Sequence, residues 1–196
     1  MNPTSKAPCI LTGIGLALSL ACGGGSSSDP VTPAATAATP QLVYSDATTG
    51  PVQLHKNTTL STSAHLVMDV VGVDSSTLSA GLYLTLNVEP TVAKWAKVKA
   101  TDGDFVENGT VYTLGSGVPL LKAKVSGGTL TFAVGQKGFN AAVPTSGVLA
   151  RVALDLQPES ATGLVVFTAS SSGAKLLTDG GVLVDFPAGV GALRVQ

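Results

Sequence analysis

The feature that most restricts this chain is a period of two. In Gly81-Leu82-Tyr83-Leu84-Thr85-Leu86-Asn87-Val88, the apolar Leu82, Leu84, Leu86 and Val88 alternate with Tyr83, Thr85 and Asn87. Successive side chains of a strand point to opposite faces, so this spacing buries one face of an extended segment and leaves the other to water. Residues 64–73 repeat it: Leu66, Met68 and Val70 share one face, and His65, Val67, Asp69 and Val71 share the other. Short β-branched segments punctuated by Gly, Asn, Asp, Pro and Ser recur along the rest of the chain. They predict strands over 41–44, 51–55, 111–114, 120–125, 129–134, 148–156, 163–169, 175–177, 181–185 and 191–195. Gly127-Gly128 and Asp179-Gly180-Gly181 read as hairpin turns, because both central residues of such a turn can need positive φ. A helical face competes only over 91–100, where Val92, Trp95, Ala96 and Lys99 are spaced for it, and a short turn leading into a strand is expected there. So many strands without a long amphipathic helix imply an all-β protein, an antiparallel two-sheet β-sandwich.

The first forty residues obey another rule. Residues 1–21 carry a polar start with Lys6, an apolar run from Ile10 to Leu20, and then Ala21 before Cys22. That is the layout of a signal peptide, and the run is too short for a membrane-spanning helix, which needs about 20 apolar residues. Residues 22–40 are rich in Gly, Ser, Pro and Ala, with prolines at 30, 33 and 40. Having almost nothing to bury, they read as a flexible tether. Residues 41–196 then suffice for one sandwich domain. Its two cysteines, Cys9 and Cys22, precede that body, which must hold together by its core without a disulfide. Eleven Lys and Arg stand against twelve Asp and Glu. No clustered basic face exists to displace counterions from phosphates, so nucleic acid is not an expected partner.

Two resemblances sharpen this. Ala21-Cys22, followed by Gly23-Gly24-Gly25 and Ser26, resembles a bacterial lipoprotein signal, although Ser19 and Leu20 depart from that family's Leu and small residue. It implies lipidation of Cys22, export, and a lipid anchor in a bacterial membrane. Gly23 in place of Asp after the cysteine implies the outer membrane or cell surface. In the body, the 81–88 strand runs into Glu89-Pro90, Thr91-Val92 and then Gly103-Asp104-Phe105. Gly147-Val148-Leu149-Ala150 opens another strand, and 181–195 closes the chain. From about Ala64 onward these segments resemble the cohesin-like modules of the carbohydrate-binding β-sandwich superfamily. The resemblance implies a jelly-roll or immunoglobulin-like sandwich serving as a non-catalytic, surface-anchored binding or adhesion module. Cohesins bind a dockerin protein through one sheet face, and relatives bind polysaccharide through aromatic platforms. No short motif marks dockerin contacts here, so no contact residue is carried over.

Few side chains of the body offer chemistry. Trp95 lies in Lys94-Trp95-Ala96-Lys97-Val98-Lys99. Exposed, its ring could stack on a sugar; buried, it is core, with the lysines reaching out to water. A carbohydrate-binding module would need Trp95, Tyr83, Tyr112 or Phe139 on one exposed face. Aromatics are only 5% of the chain, which favours a protein partner over extracellular polysaccharide. Asp102, Asp104 and Glu107, with Asn108 beside them, offer oxygen ligands for calcium but miss the EF-hand spacing, and a solvated loop is the alternative. No other cofactor is expected. His55 and His65 are the only histidines; neither adjoins a nucleophile motif, Gly115-Ser116-Gly117 reads as a turn, and His65 and Asp69 lie too far apart along one strand to pair. The chain is therefore read as no enzyme, with an unrecognised hydrolase using His65 as the remote rival.

Overall fold

Alternating segments become strands because pairing satisfies every backbone N–H and C=O while one face leaves water. The computed structural model describes residues 39–113, 120–136 and 142–196. The expected leader, Cys22, all but the end of the tether, the Gly115-Ser116-Gly117 turn and Phe139 lie outside the described residues. Among the described residues are sixteen strands and no helix. In chain order they are β1 Leu42–Ser45, β2 Val52–Lys56, β3 His65–Gly72, β4 Leu78–Ser79, β5 Gly81–Val88, β6 Ala93–Ala96, β7 Val106–Asn108 and β8 Leu120–Ser126. There follow β9 Thr129–Gly135, β10 Val143–Pro144, β11 Gly147–Leu156, β12 Gly163–Val165, β13 Phe167–Leu177, β14 Leu183–Asp185, β15 Ala188–Gly189 and β16 Ala192–Val195.

Two large sheets result. One has the order β15-β2-β3-β11-β6, with β7 also paired to β11, and the other has the order β14-β13-β5-β9-β8. A three-stranded sheet, β1-β16-β12, and the short β10-β4 pair complete the set. The apolar sides of the large sheets face each other. Leu54, Leu66, Met68, Val70, Val152 and Leu154 from the first meet Leu82, Leu84, Leu86, Leu130, Phe132 and Leu176 from the second in one core cluster. Burial of this much apolar area is what holds a body without cysteine together.

The structure refines four expectations. Pairing is antiparallel throughout except for β15 on β2, which is parallel. Residues 111–113 form no strand. The N–H groups of Thr110 and Val111 both donate to the Val148 carbonyl, at 2.7 and 3.1 Å, and the tight loop drops Tyr112 fully into the core. The 163–169 and 175–177 segments are recut into β12 and a long β13. Finally, only Gly127 of the Gly127-Gly128 turn has a left-handed backbone, with φ 56°. Gly128 is needed for another reason: a Cβ there would lie 2.0 Å from the Val88 carbonyl oxygen.

Two bulges break the alternation that sequence alone would extend. In β11, Val148 pairs with Val71 and Ala150 with Val70, leaving Leu149 as an extra residue, so Leu149 and Ala150 are both buried. In β13, Ala169 opposes Leu86 and Ala174 opposes Leu84. Four residues, Ser170, Ser171, Ser172 and Gly173, thus bulge out opposite the single residue Thr85, with Gly173 packed against it. Such bulges re-aim side chains without ending the ladder.

Candidate binding face

The outer faces of the two large sheets are chemically unlike. On the six-stranded sheet, Arg151 Nε donates to Asp69 Oδ1 at 2.8 Å and its Nη1 reaches Glu107 at 3.4 Å. Lys99 pairs with the same Glu107, and Asn57 donates to Asp69. His65 Nδ1 lies 2.6 Å from Asp155. Between these groups Val67, Ala153 and Val98 form a small second apolar cluster, against which Leu60 and Ala96 pack. This face is largely closed by its own side chains.

The outer face of the five-stranded sheet is open and organised in cross-strand rungs. One rung runs Asp185, Lys175, Tyr83, Ala133, Lys122. The next runs from the serine bulge through Thr85 and Thr131 to Lys124, and a third joins Thr168, Asn87, Thr129 and Ser126. Thr85 and Thr131 hydroxyls lie 3.2 Å apart, and Thr129 donates to Asn87 at 2.8 Å. Lys122 and Lys124 are exposed, and among the described residues neither is in an ion pair. At one end Gly81 and Gly135 face each other across β5 and β9. Their missing side chains leave an apolar hollow of about 200 Å³ whose lining includes Tyr83, Leu120, Ala133, Leu177 and Leu183.

The residues singled out from sequence scatter. Trp95 is 4% exposed and Tyr112 0%, so an aromatic platform built on them is corrected to core packing. The Trp95 indole N–H donates to the Gly128 carbonyl at 2.8 Å, and the Tyr112 hydroxyl lies 2.7 Å from Ser79 Oγ. Burial pushes the Tyr112 phenol up to about 12. Tyr83 alone of the three reaches the open face. The calcium set is corrected too. Asp102 accepts from the Lys99 N–H and Asp104 from the Phe105 N–H, both at 2.8 Å, while Glu107 is engaged by Lys99 and Arg151. These carboxylates do not converge, and among the described residues no group of three His, Cys, Asp or Glu is placed to hold a metal.

His65 does not pair with Asp69, as the extended strand predicted, but it does pair with Asp155 across the β3–β11 ladder. That partner was invisible to sequence because register decides it. The dyad borders a hollow of about 540 Å³ with Thr62, Ala96 and Lys97. Its other ring nitrogen, Nε2, faces the Val98 carbonyl at 3.2 Å, and a carbonyl has no proton to give up. The nitrogen that a hydrolytic triad turns toward its hydroxyl is here turned toward a carbonyl. The lysines of β8 join the face without having stood out in the sequence, although their alternate placement in Leu120-Leu121-Lys122-Ala123-Lys124 signals a polar outer face.

Comparison with solved structures settles the architecture. A type II cohesin domain from the cellulosome of Acetivibrio cellulolyticus superposes with a TM-score of 0.55 at 17% identity, over 74% of this chain and 95% of that one. The body has a cohesin-like fold. A second match is the structure of a type II cohesin–X–dockerin complex from the same organism, with a TM-score of 0.52 at 15% identity, over 71% of this chain and 93% of that one. No protein-family model matches the sequence, and no curated protein does.

Proposed function

We propose that this cohesin-like body is a non-catalytic binding module whose protein partner docks on the outer face of the five-stranded sheet. The observation that carries the reading is the asymmetry of the two sheets: one outer face is spent on its own ion pairs, while the other presents hydroxyl rungs, two lysines in no ion pair among the described residues and an apolar hollow. Such a surface fits a partner that brings an apolar side chain flanked by carboxylates. A dockerin-bearing protein is the partner class, because a cohesin of similar fold was solved in complex with one.

Reversing both lysines, as Lys122→Glu with Lys124→Glu, is expected to weaken capture of an immobilised dockerin-bearing protein by roughly tenfold or more. The melting temperature should stay within a degree or two, since both side chains are exposed. Unchanged affinity in that double variant, or retention of the wild-type protein on insoluble polysaccharide in place of protein capture, would overturn the reading.

The anchor belongs to the same proposal. A lipidated Cys22 on a Gly/Ser/Pro tether would hold the body clear of an outer bacterial membrane, where a large or fixed partner can be reached. Metabolic labelling with a radioactive fatty acid should mark the wild-type chain and not Cys22→Ala. A labelled Cys22→Ala chain would refute the anchor.

A further inference from the structure

The edge of the five-stranded sheet carries a second surface, which shares with the first only the apolar hollow at Leu183. β14 is its outermost strand, paired only with β13 among the described residues. Natural edge strands are guarded by lysine, proline, inward charge or a covering segment, because unpaired backbone groups recruit other strands. β14 lacks the first three. Val182, Leu183 and Val184 are 60%, 56% and 48% exposed, and its one charge, Asp185, is already paired with Lys175.

The hydrogen-bond phase shows which groups turn away from β13. Phe186 N–H donates to the Ala174 carbonyl and Thr178 N–H to the Val182 carbonyl. Alternate residues of an antiparallel strand bond to the same neighbour, so the backbone groups of Leu183 and Asp185 point away from β13. On one side of the sheet Leu183 borders the 200 Å³ hollow beside Leu177 and Leu120. On the other, Val184 borders an apolar groove of about 240 Å³ with Pro51, Leu78 and Phe186. An added strand would thus find an apolar recess for each of its alternating side chains.

We infer that β14 docks β14 of a second copy of this chain, antiparallel, about a two-fold axis at Leu183. The strand is its own complement. In that register Leu183 meets Leu183, Val182 meets Val184, and Asp185 meets Gly181, so apolar faces apolar and no carboxylate faces another. The Leu183 N–H and C=O groups bond reciprocally across the axis. The two five-stranded sheets become one continuous sheet with an isologous interface.

Sedimentation velocity on the full chain tests this. The wild-type protein should show concentration-dependent dimerisation. Leu183→Pro removes an outward N–H that has no partner among the described residues, and proline is tolerated there on an edge strand; it should raise the dimer dissociation constant about tenfold or more. Leu183→Lys, which sets two ammonium groups at the axis, should do the same. Lys122→Glu should leave dimerisation unchanged, which separates this interface from partner docking. On concentrating the wild-type protein, amide exchange should slow at Leu183. A wild-type chain that stays monomeric at millimolar concentration, a Leu183→Pro protein that dimerises as the wild type does, or an unprotected Leu183 amide in the dimer would each overturn the inference.

Discussion

Trp95→Ala is expected to lower the unfolding free energy by about 3–5 kcal/mol, the range for deleting a buried large aromatic. For a domain of this size that corresponds to a fall in melting temperature of roughly 6–20 °C. The reason lies in what the ring joins. Trp95 sits in β6 opposite Leu154 of β11, so it belongs to the six-stranded sheet. Its indole N–H, however, donates to Gly128 in the β8–β9 turn of the other sheet, and its ring lies 6.2 Å from that of Phe167. Phe167 in turn meets Tyr44 edge-on at 5.9 Å. Truncation opens a cavity where the two sheets and β1 converge, and leaves the Gly128 carbonyl with the Val88 N–H as its remaining donor. Thermal unfolding followed by circular dichroism measures it. A variant that melted like the wild type would mean the ring is not core, and would reopen its role as a sugar platform.

Alkaline solution is expected to destabilise the protein from about pH 10 upward. The Tyr44 and Tyr112 phenols are both pushed from 10.0 up to about 12, chiefly by desolvation. Each is buried with a hydrogen-bond partner: Tyr44 donates to the Leu54 carbonyl at 3.2 Å and accepts from the Gly191 N–H at 2.7 Å. The unfolded chain ionises these groups first. Their contribution is therefore whole below pH 10, and it is lost as pH rises through about 12. A tenfold change in an ionisation constant is about 1.4 kcal/mol, so each phenol accounts for roughly 2–3 kcal/mol across that window. Denaturant unfolding at a series of pH values should show the decline, and Tyr112→Phe should flatten it while lowering the neutral-pH baseline through the unpaired Ser79 hydroxyl. An equally steep decline in Tyr112→Phe would rule that phenol out as a cause.

Much of the fold was legible because its cause is local. β5 runs over Gly81–Val88, the segment whose apolar residues alternate most regularly. The turn before β6 was read correctly from a stretch where a helix competed. What failed did so where a remote segment intervened. Local pattern puts Tyr112 on a strand, but the Val148 carbonyl holds its loop inward. Sequence divides β13 in two because its serine bulge carries no apolar signal. The open face was half legible: Tyr83 and Thr85 followed from alternation, whereas Thr131 and Lys124 joined them only through register.

Sequence by itself determined the all-β class, the apolar stripe of each main strand, and a body that coheres without disulfides. Periodicity and composition suffice for these, because the side-chain period of a strand is a property of its backbone alone. Only the tertiary structure decided which stripe faces which, that Trp95 and Tyr112 are core, that Asp155 and not Asp69 meets His65, and that one sheet is closed by its own charges while the other lies open. Those outcomes depend on register and on contacts between residues far apart in the chain, where a shift of one position exchanges the buried face for the wet one.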